Sequence, residues 1–241
     1  MSSKSFENYA RVAAVADTNN NQVAGRYNFQ AAAQRRIIPD VVRKLGLSSD
    51  DRLLEIGCGP GNLLLPLSHL VERATGIDNE AALGRLAARC GGDPGIELLP
   101  GNFLTMPLPE ARYSKILVYS VIQYVGETGA ALFLRRAIDL LEPGGKLLIG
   151  DLPNRDKKRR YAESARGRAG NAQWHALISA EGAHPMDAMP RDEDLVAVDD
   201  RFVLGLAAHA RECGCESYLL SQPDDLPFGN TREDLLIVSA R

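Results

Sequence analysis

The chain of 241 residues is 45% hydrophobic and 24% charged, which is enough apolar content for one packed domain with an embedded insertion. Its net charge of −3 argues against a generally basic nucleic-acid-binding surface, and it has no run of about 18 apolar residues to span a membrane. Met1 to Glu7 are polar, without the apolar core of a secretory signal, and the cysteines at 58, 90, 213 and 215 form no C-x-x-C pair, so a cytoplasmic protein with reduced thiols is expected.

Residues 1–28 are polar, with Asn19, Asn20 and Asn21 in a row, and read as an N-terminal arm, either mobile or folded as a helix over the active site. Ile37, Ile38, Val41, Val42 and Leu45 recur at helical spacing and predict a helix from Phe29 to Leu45 that stops at Gly46. Arg52 to Ile56 predicts a buried strand, which breaks into Gly57-Cys58-Gly59-Pro60-Gly61. Residues without a Cβ leave room for a tight turn and for a ligand against its backbone. The next helix, about Asn62 to Leu70, contains Pro66, expected to kink it because a proline beyond the first turn removes a backbone hydrogen bond. Arg73 to Asp78 predicts a second strand ending in a carboxylate. An acid about 20 residues beyond such a turn can take the hydroxyls of a ribose, so one nucleotide-like ligand is expected. A dinucleotide fingerprint would place its third glycine at Asn62, and Pro60 removes an N–H from the turn. A cofactor without phosphates fits better.

The alternation continues with a helix over Asn79 to Arg89, strands over Ile96 to Leu99 and Ser114 to Val118, a helix over Gly129 to Leu141 and a strand over Lys146 to Asp151. This order predicts a parallel sheet with right-handed crossovers and a ligand at the carboxyl ends of its strands. From about 154 to 198 the pattern lapses into intermittent helix, read as a lid or substrate segment inserted in a domain of residues 29–241. It opens with Arg155, Lys157, Lys158, Arg159, Arg160, Arg166 and Arg168 against Asp156 and Glu163. A solvated helix face is the ordinary reading of such a run; the sharper one has Arg155, Arg159 or Arg166 clamping a phosphate or carboxylate. Asp199 or Asp200 can cap a helix reaching Cys213, and Ser217 to Leu220 and Leu235 to Ser239 supply two last strands.

Glu55-x-Gly57-x-Gly59-x-Gly61, Asp78, Gly101-Asn102-Phe103 and Leu141-Glu142-Pro143-Gly144-Gly145-Lys146-Leu147 follow one another in the order that resembles the class I S-adenosylmethionine-dependent methyltransferases, over roughly residues 30 to 153. The resemblance implies an α/β fold: a Rossmann-like three-layer α/β/α sandwich with a seven-stranded, mostly parallel sheet, an antiparallel last strand and a helical insertion after strand five. It implies S-adenosyl-L-methionine as cofactor. Glu55 would lie near the methionine end, Gly57, Cys58, Gly59 and Gly61 in the turn, Asp78 and Asn79 at the ribose, and Asn102 and Phe103 at the adenine, with no metal. Tyr119 and Gln123, after strand four, would meet the methyl group, Tyr119 also touching the cofactor, while Arg26 and Tyr27 would close over the methionine end.

Methyl transfer asks the protein chiefly to align the reactants and, where the acceptor is protonated, to remove a proton. His175 and His184, in the insertion, are the candidate bases, with Asp151 a further candidate; His69 and His209 read as scaffold. The expected partner is a small-molecule acceptor bearing phosphate or carboxylate, methylated on oxygen or nitrogen, with no nucleic acid and no membrane, and a homodimer is admitted. The alternatives are a non-catalytic subunit of the same fold and a nicotinamide-dependent oxidoreductase, which the sequence disfavours by lacking a Tyr-x-x-x-Lys pair.

Overall fold

The computed structural model describes residues 3–15, 18–108, 110, 112–126, 128–184 and 195–240. The strands are β1 (Arg52–Ile56), β2 (Arg73–Asp78), β3 (Ile96–Pro100), β4 (Tyr113–Tyr119), β5 (Leu141–Leu152), β6 (Cys215–Ser221) and β7 (Glu233–Ser239). They form one sheet in the order β3-β2-β1-β4-β5-β7-β6. The first five pair in parallel, and β7 runs antiparallel to both of its neighbours. This is the sheet that the sequence predicts.

The helices are α1 (Ser3–Ala14), α2 (Asn20–Val23), α3 (Ala31–Arg35), α4 (Ile37–Leu45), α5 (Leu64–Ser68), α6 (Glu80–Cys90), α7 (Gly129–Asp139), α8 (Arg155–Glu163), α9 (Ala165–Glu181) and α10 (Asp200–Glu212). Alternate strand residues point to opposite faces. Leu53, Leu117 and Leu148 meet α4, α5 and α6 on one side, while Leu54, Ile116, Val118 and Leu147 meet α7 and α10 on the other. Three layers result.

Two prolines decide details that periodicity misses. The expected helix over 29–45 is a 3-10 turn at Asn28–Gln30, then α3, then α4. Pro39 lies in the first turn of α4, and an unbroken helix would drive its ring against the carbonyl of Arg35. The chain therefore restarts at Ile37. Pro66 produces no kink, because α5 begins only at Leu64 and a proline in a first turn interrupts no hydrogen-bond ladder. β5 is longer than expected, since Leu141 pairs with Tyr113 before an irregularity at Tyr113/Lys115.

The N-terminal arm carries α1 and the short α2 among its described residues. Val12, Ala13 and Val23 pack on Ala82 of α6, and the guanidinium of Arg85 donates to the carbonyls of Ala13, Val15 and Thr18, each at 2.6 Å. The Ala13 carbonyl is an orphan acceptor at the C-terminus of α1, and the same side chain ties down the turn that follows it. The insertion after β5 is helical too. Its tip is tied down by Glu181, whose carboxylate accepts from the backbone N–H groups of Asn28 (2.6 Å) and Phe29 (3.0 Å). Trp174 meets Phe29 (5.2 Å) and Phe228 (5.5 Å) edge-on. Residues 185–194 lie outside the described part. Asp199, rather than Asp200, caps α10 by accepting from the N–H of Phe202 at 2.8 Å.

Candidate active site

At the carboxyl end of β1 the glycine turn is tied to β2 by Gly57 N–H and Cys58 N–H, which donate to the carbonyl of Ile77 at 2.8 and 3.2 Å. The glycines serve different ends. A Cβ at Gly57 would lie 2.4 Å from Val121 and one at Gly61 2.2 Å from Leu86, so these two admit protein neighbours. A Cβ at Gly59 (φ +54) would meet nothing within 4 Å, and this residue lines the cavity. Its N–H donates to Asp78 Oδ2 at 2.7 Å, while Asn79 donates to Oδ1 from both backbone and side chain, each at 2.7 Å. Asn79 also caps α6 by accepting from Ala82 N–H at 3.0 Å, so the cap and the carboxylate fix one another. Burial raises the Asp78 carboxyl, and these hydrogen bonds oppose the rise. Cys58 is buried and its thiol is pushed well up by burial and by the charges of Asp78 and Glu55; it is a neutral wall group.

Glu55 is 2% exposed, and its Oε2 has no hydrogen-bond partner among the described residues. Burial, then the neighbouring Asp78 charge, pushes its carboxyl well above the usual range. A carboxyl raised by folding holds its proton where the unfolded chain has lost it, so its contribution is present at low pH and lost as pH rises through the folded value. Glu55→Gln is expected to flatten that decline, because an amide has no proton to lose, to leave the ligand-free protein more stable at neutral pH than the native protein, and to weaken cofactor binding. Urea unfolding at acid and neutral pH checks the first half; equal losses in both proteins would refute it.

At the opposite end of the cavity, Ser120 (φ +60) and Asp151 (φ +61) are the non-glycine residues with left-handed backbone among those described. Such conformations gather at functional sites. Arg26, 5% exposed, donates from Nη2 to Asp151 Oδ2 at 2.6 Å and to Ser120 Oγ at 2.8 Å, and Ser120 donates to the same carboxylate oxygen. Arg232 Nε lies 3.3 Å from Asp151 Oδ1. Burial alone would raise Asp151, but the charges of Arg26 and Arg232 and the Ser120 hydrogen bond hold it below the usual range. The Phe228 ring lies 5.1 Å from the Arg26 guanidinium and 4.8 Å from that of Arg232. Behind the site, Asp151 N–H donates to Asp234 (2.9 Å), which Lys44 meets at 2.6 Å while also pairing with Asp40.

The Tyr119 ring lies over Gly150, where a Cβ would come within 2.5 Å of it, and its hydroxyl accepts from Gln222 Nε2 at 3.2 Å. Burial, then the Asp151 charge, pushes the phenol well up, so it stays protonated. Gln123 donates to the Ser120 carbonyl at 3.1 Å, leaving its buried Oε1 without a hydrogen-bond partner among the described residues. Tyr9 of α1 and Tyr124, in edge contact at 4.9 Å, line the same cavity.

The cavity thus joins Glu55, Gly57, Cys58, Gly59, Asp78, Asn79, Tyr119, Gln123, Arg26 and Asp151. Gly61 supports the turn from behind. Asn102 and Phe103 line a small adjoining cleft with Asp78 and Phe6 of α1; Asn102 Oδ1 accepts from Leu104 N–H at 3.1 Å. Neither histidine of the insertion lines the cavity. His184 is buried with Nε2 3.1 Å from the carbonyl of Arg26 and its ring against Tyr27, while His175 lines a second cleft. Arg155, Arg159 and Arg166, the expected clamp, do not line this cavity either; they are exposed and paired with Asp199, Asp156 and Asp224. Sequence reading missed Tyr9, Phe228 and Arg232. No periodicity marks the loop before β7, and its proline and glycine signal only turns.

An orphaned buried carboxyl oxygen, an open backbone face at Gly59 and a hydrogen-bonded acid one βαβ unit on suit S-adenosylmethionine, which carries an ammonium, a sulfonium and a ribose. A family model described as a methyltransferase domain matches residues 53–145. An uncharacterised methyltransferase of Bacillus subtilis, YdaC, is 31% identical over 126 residues, 50% of this chain and 67% of that protein. A ubiquinone biosynthesis O-methyltransferase of a Bradyrhizobium species is 31% identical over 118 residues; the match spans 48% of this chain and only 45% of that relative. In fold, the chain is similar to the N-methyltransferase NodS of Bradyrhizobium japonicum, solved with S-adenosylhomocysteine, with a TM-score of 0.63, 16% identity, and coverage of 99% of this chain and 100% of that one. The chain belongs to the class I S-adenosylmethionine-dependent methyltransferases.

Proposed function

We propose that the enzyme methylates an oxygen or nitrogen of a small anionic acceptor, bound at the Arg26–Arg232 end of the cavity. The observation that carries this reading is two guanidiniums set against one carboxylate, Asp151, in a largely buried place. A surplus charge there favours a ligand anion, and guanidinium suits phosphate and carboxylate. Both atom types have precedent, since one relative is named an O-methyltransferase and one structural neighbour an N-methyltransferase.

S-adenosylmethionine supplies a methyl group activated on a sulfonium for in-line displacement. In this reading Glu55 takes the cofactor's ammonium, the backbone at Gly59 lies along it, and Asp78, held by Asn79, takes the ribose hydroxyls, with Asn102 and Phe103 bordering the adenine. Gln123 Oε1 accepts a hydrogen bond from the acceptor and so aims its nucleophilic atom. Tyr119, protonated and bound to Gln222, shapes the wall. Catalysis then rests on alignment and exclusion of water.

Asp78→Ala is expected to weaken S-adenosylhomocysteine binding by about 1 to 3 kcal/mol, as removal of hydrogen bonds to a charged group does. Calorimetry with unchanged affinity would sink the ribose role. For the acceptor, a panel of matched amines and phenols, each with and without a carboxylate or phosphate, is assayed for transfer of a labelled methyl group. Anionic members should show the higher kcat/KM; equal or better turnover of the uncharged members would refute the anionic assignment.

A further inference from the structure

A second cleft of about 660 Å³ opens between the insertion and the loop before β7. Tyr161, Trp174 and Phe228 present rings to it, and Lys158, Arg155 and Arg232 bring positive charge. Its charges are unevenly matched. Arg155 is paired with Asp199, and the acid in the wall, Asp224, is paired with Arg166. Lys158 is exposed, and no carboxylate among the described residues is paired with it. Arg232 shares Asp151 with Arg26. Phe228 and Arg232 line both this cleft and the cofactor cavity, so side chains form part of the wall between the two.

We propose that this cleft is an outer subsite for the methyl acceptor, which holds the anionic end of a flat, aromatic molecule between Lys158 and Arg232, with its ring against Trp174 and Phe228. The methylated atom then points past Phe228 toward Gln123. Rings already arranged edge to face accept a further ring at little entropic cost, and a cation beside them selects for an anion. The inference rests on the anionic-acceptor reading and adds where the anion sits and that a ring accompanies it.

The chain contains one tryptophan, and Trp174 stands in this cleft, so its fluorescence reports occupancy. The protein saturated with S-adenosylhomocysteine is titrated with phenyl phosphate, benzoate and phenol, with calorimetry alongside. Phenyl phosphate or benzoate should change the Trp174 emission and bind at least about tenfold more tightly than phenol; whichever is tighter tells phosphate from carboxylate. Lys158→Met should weaken that anion about tenfold and Lys158→Arg should restore it, both without altering affinity for S-adenosylhomocysteine. Lys158 is exposed, so neither variant threatens folding. Equal binding of phenol and the anions, or an anion affinity indifferent to Lys158→Met, would overturn the subsite while leaving the cofactor assignment standing. Failure of the native protein to bind S-adenosylhomocysteine would overturn the cofactor reading beneath it.

Discussion

Asp151→Ala is expected to destabilise the protein by about 3 to 5 kcal/mol, the range for removing one member of a buried ion pair. The loss is large because it leaves Arg26, 5% exposed, without a counter-charge beside Arg232, both guanidiniums lying near the Phe228 ring. Ser120 also loses its acceptor. Alanine adds a smaller cost at φ +61, where side chains other than Asn and Asp are rare. Asp151→Asn tolerates that backbone and keeps the shape but not the charge, so its loss isolates the electrostatic part. Urea unfolding of both variants and of Arg26→Ala, with the double variant completing the cycle, measures the coupling. A loss for Asp151→Ala below about 1 kcal/mol, typical of a surface pair, would show that the guanidiniums are solvated after all.

Gly59→Val is expected to reduce affinity for S-adenosylhomocysteine by roughly 100-fold or more while leaving the sheet intact, since a group forced into a binding contact can misplace the ligand by an ångström or more. A Cβ there meets no heavy atom within 4 Å beyond its chain neighbours, so the added bulk goes into the space a ligand would fill. A β-branched residue at φ +54 also strains the turn, so some loss of thermal stability should accompany the effect. Calorimetry and circular dichroism together separate the two. A folded variant that still binds normally would reduce Gly59 to a turn residue. Gly57 and Gly61 differ, because a Cβ there collides with Val121 or Leu86, and those substitutions report on folding.

Local pattern sufficed where structure is local. The strands β1, β4 and β7 each carry a short apolar run, and β2 is marked by the acid that ends it, about one βαβ unit beyond the glycine turn. The pair of Gly59 and Asp78 was legible because a single βαβ unit builds it. The other end of the cavity was not. Arg26 and Asp151 are brought together across most of the fold, and Arg232 comes from a loop that no periodicity marks. The partners of the basic opening of the insertion were hidden for the same reason. Asp199 and Asp224, far along the chain, neutralise Arg155 and Arg166, and distant acids cannot be assigned to their partners from one sequence. His184 looked like a base over the pocket, but its ring nitrogen holds the backbone of Arg26.

The placing of β7 between β5 and β6 has a consequence for the chain as it leaves the ribosome. β6 is made before β7 yet has no neighbour in the sheet until β7 arrives, because β5 pairs with β7 and not with β6. The parallel half, with the glycine turn and Asp78, is complete in the chain long before this and can fold as synthesis proceeds. Arg232 and Asp234 emerge with β7, and only then does Asp151, already within reach of Arg26 and Ser120, gain its second guanidinium and its backbone N–H an acceptor. The half of the cavity around the glycine turn and Asp78 is therefore made first, and the half around Arg26, Asp151 and Arg232 is completed last.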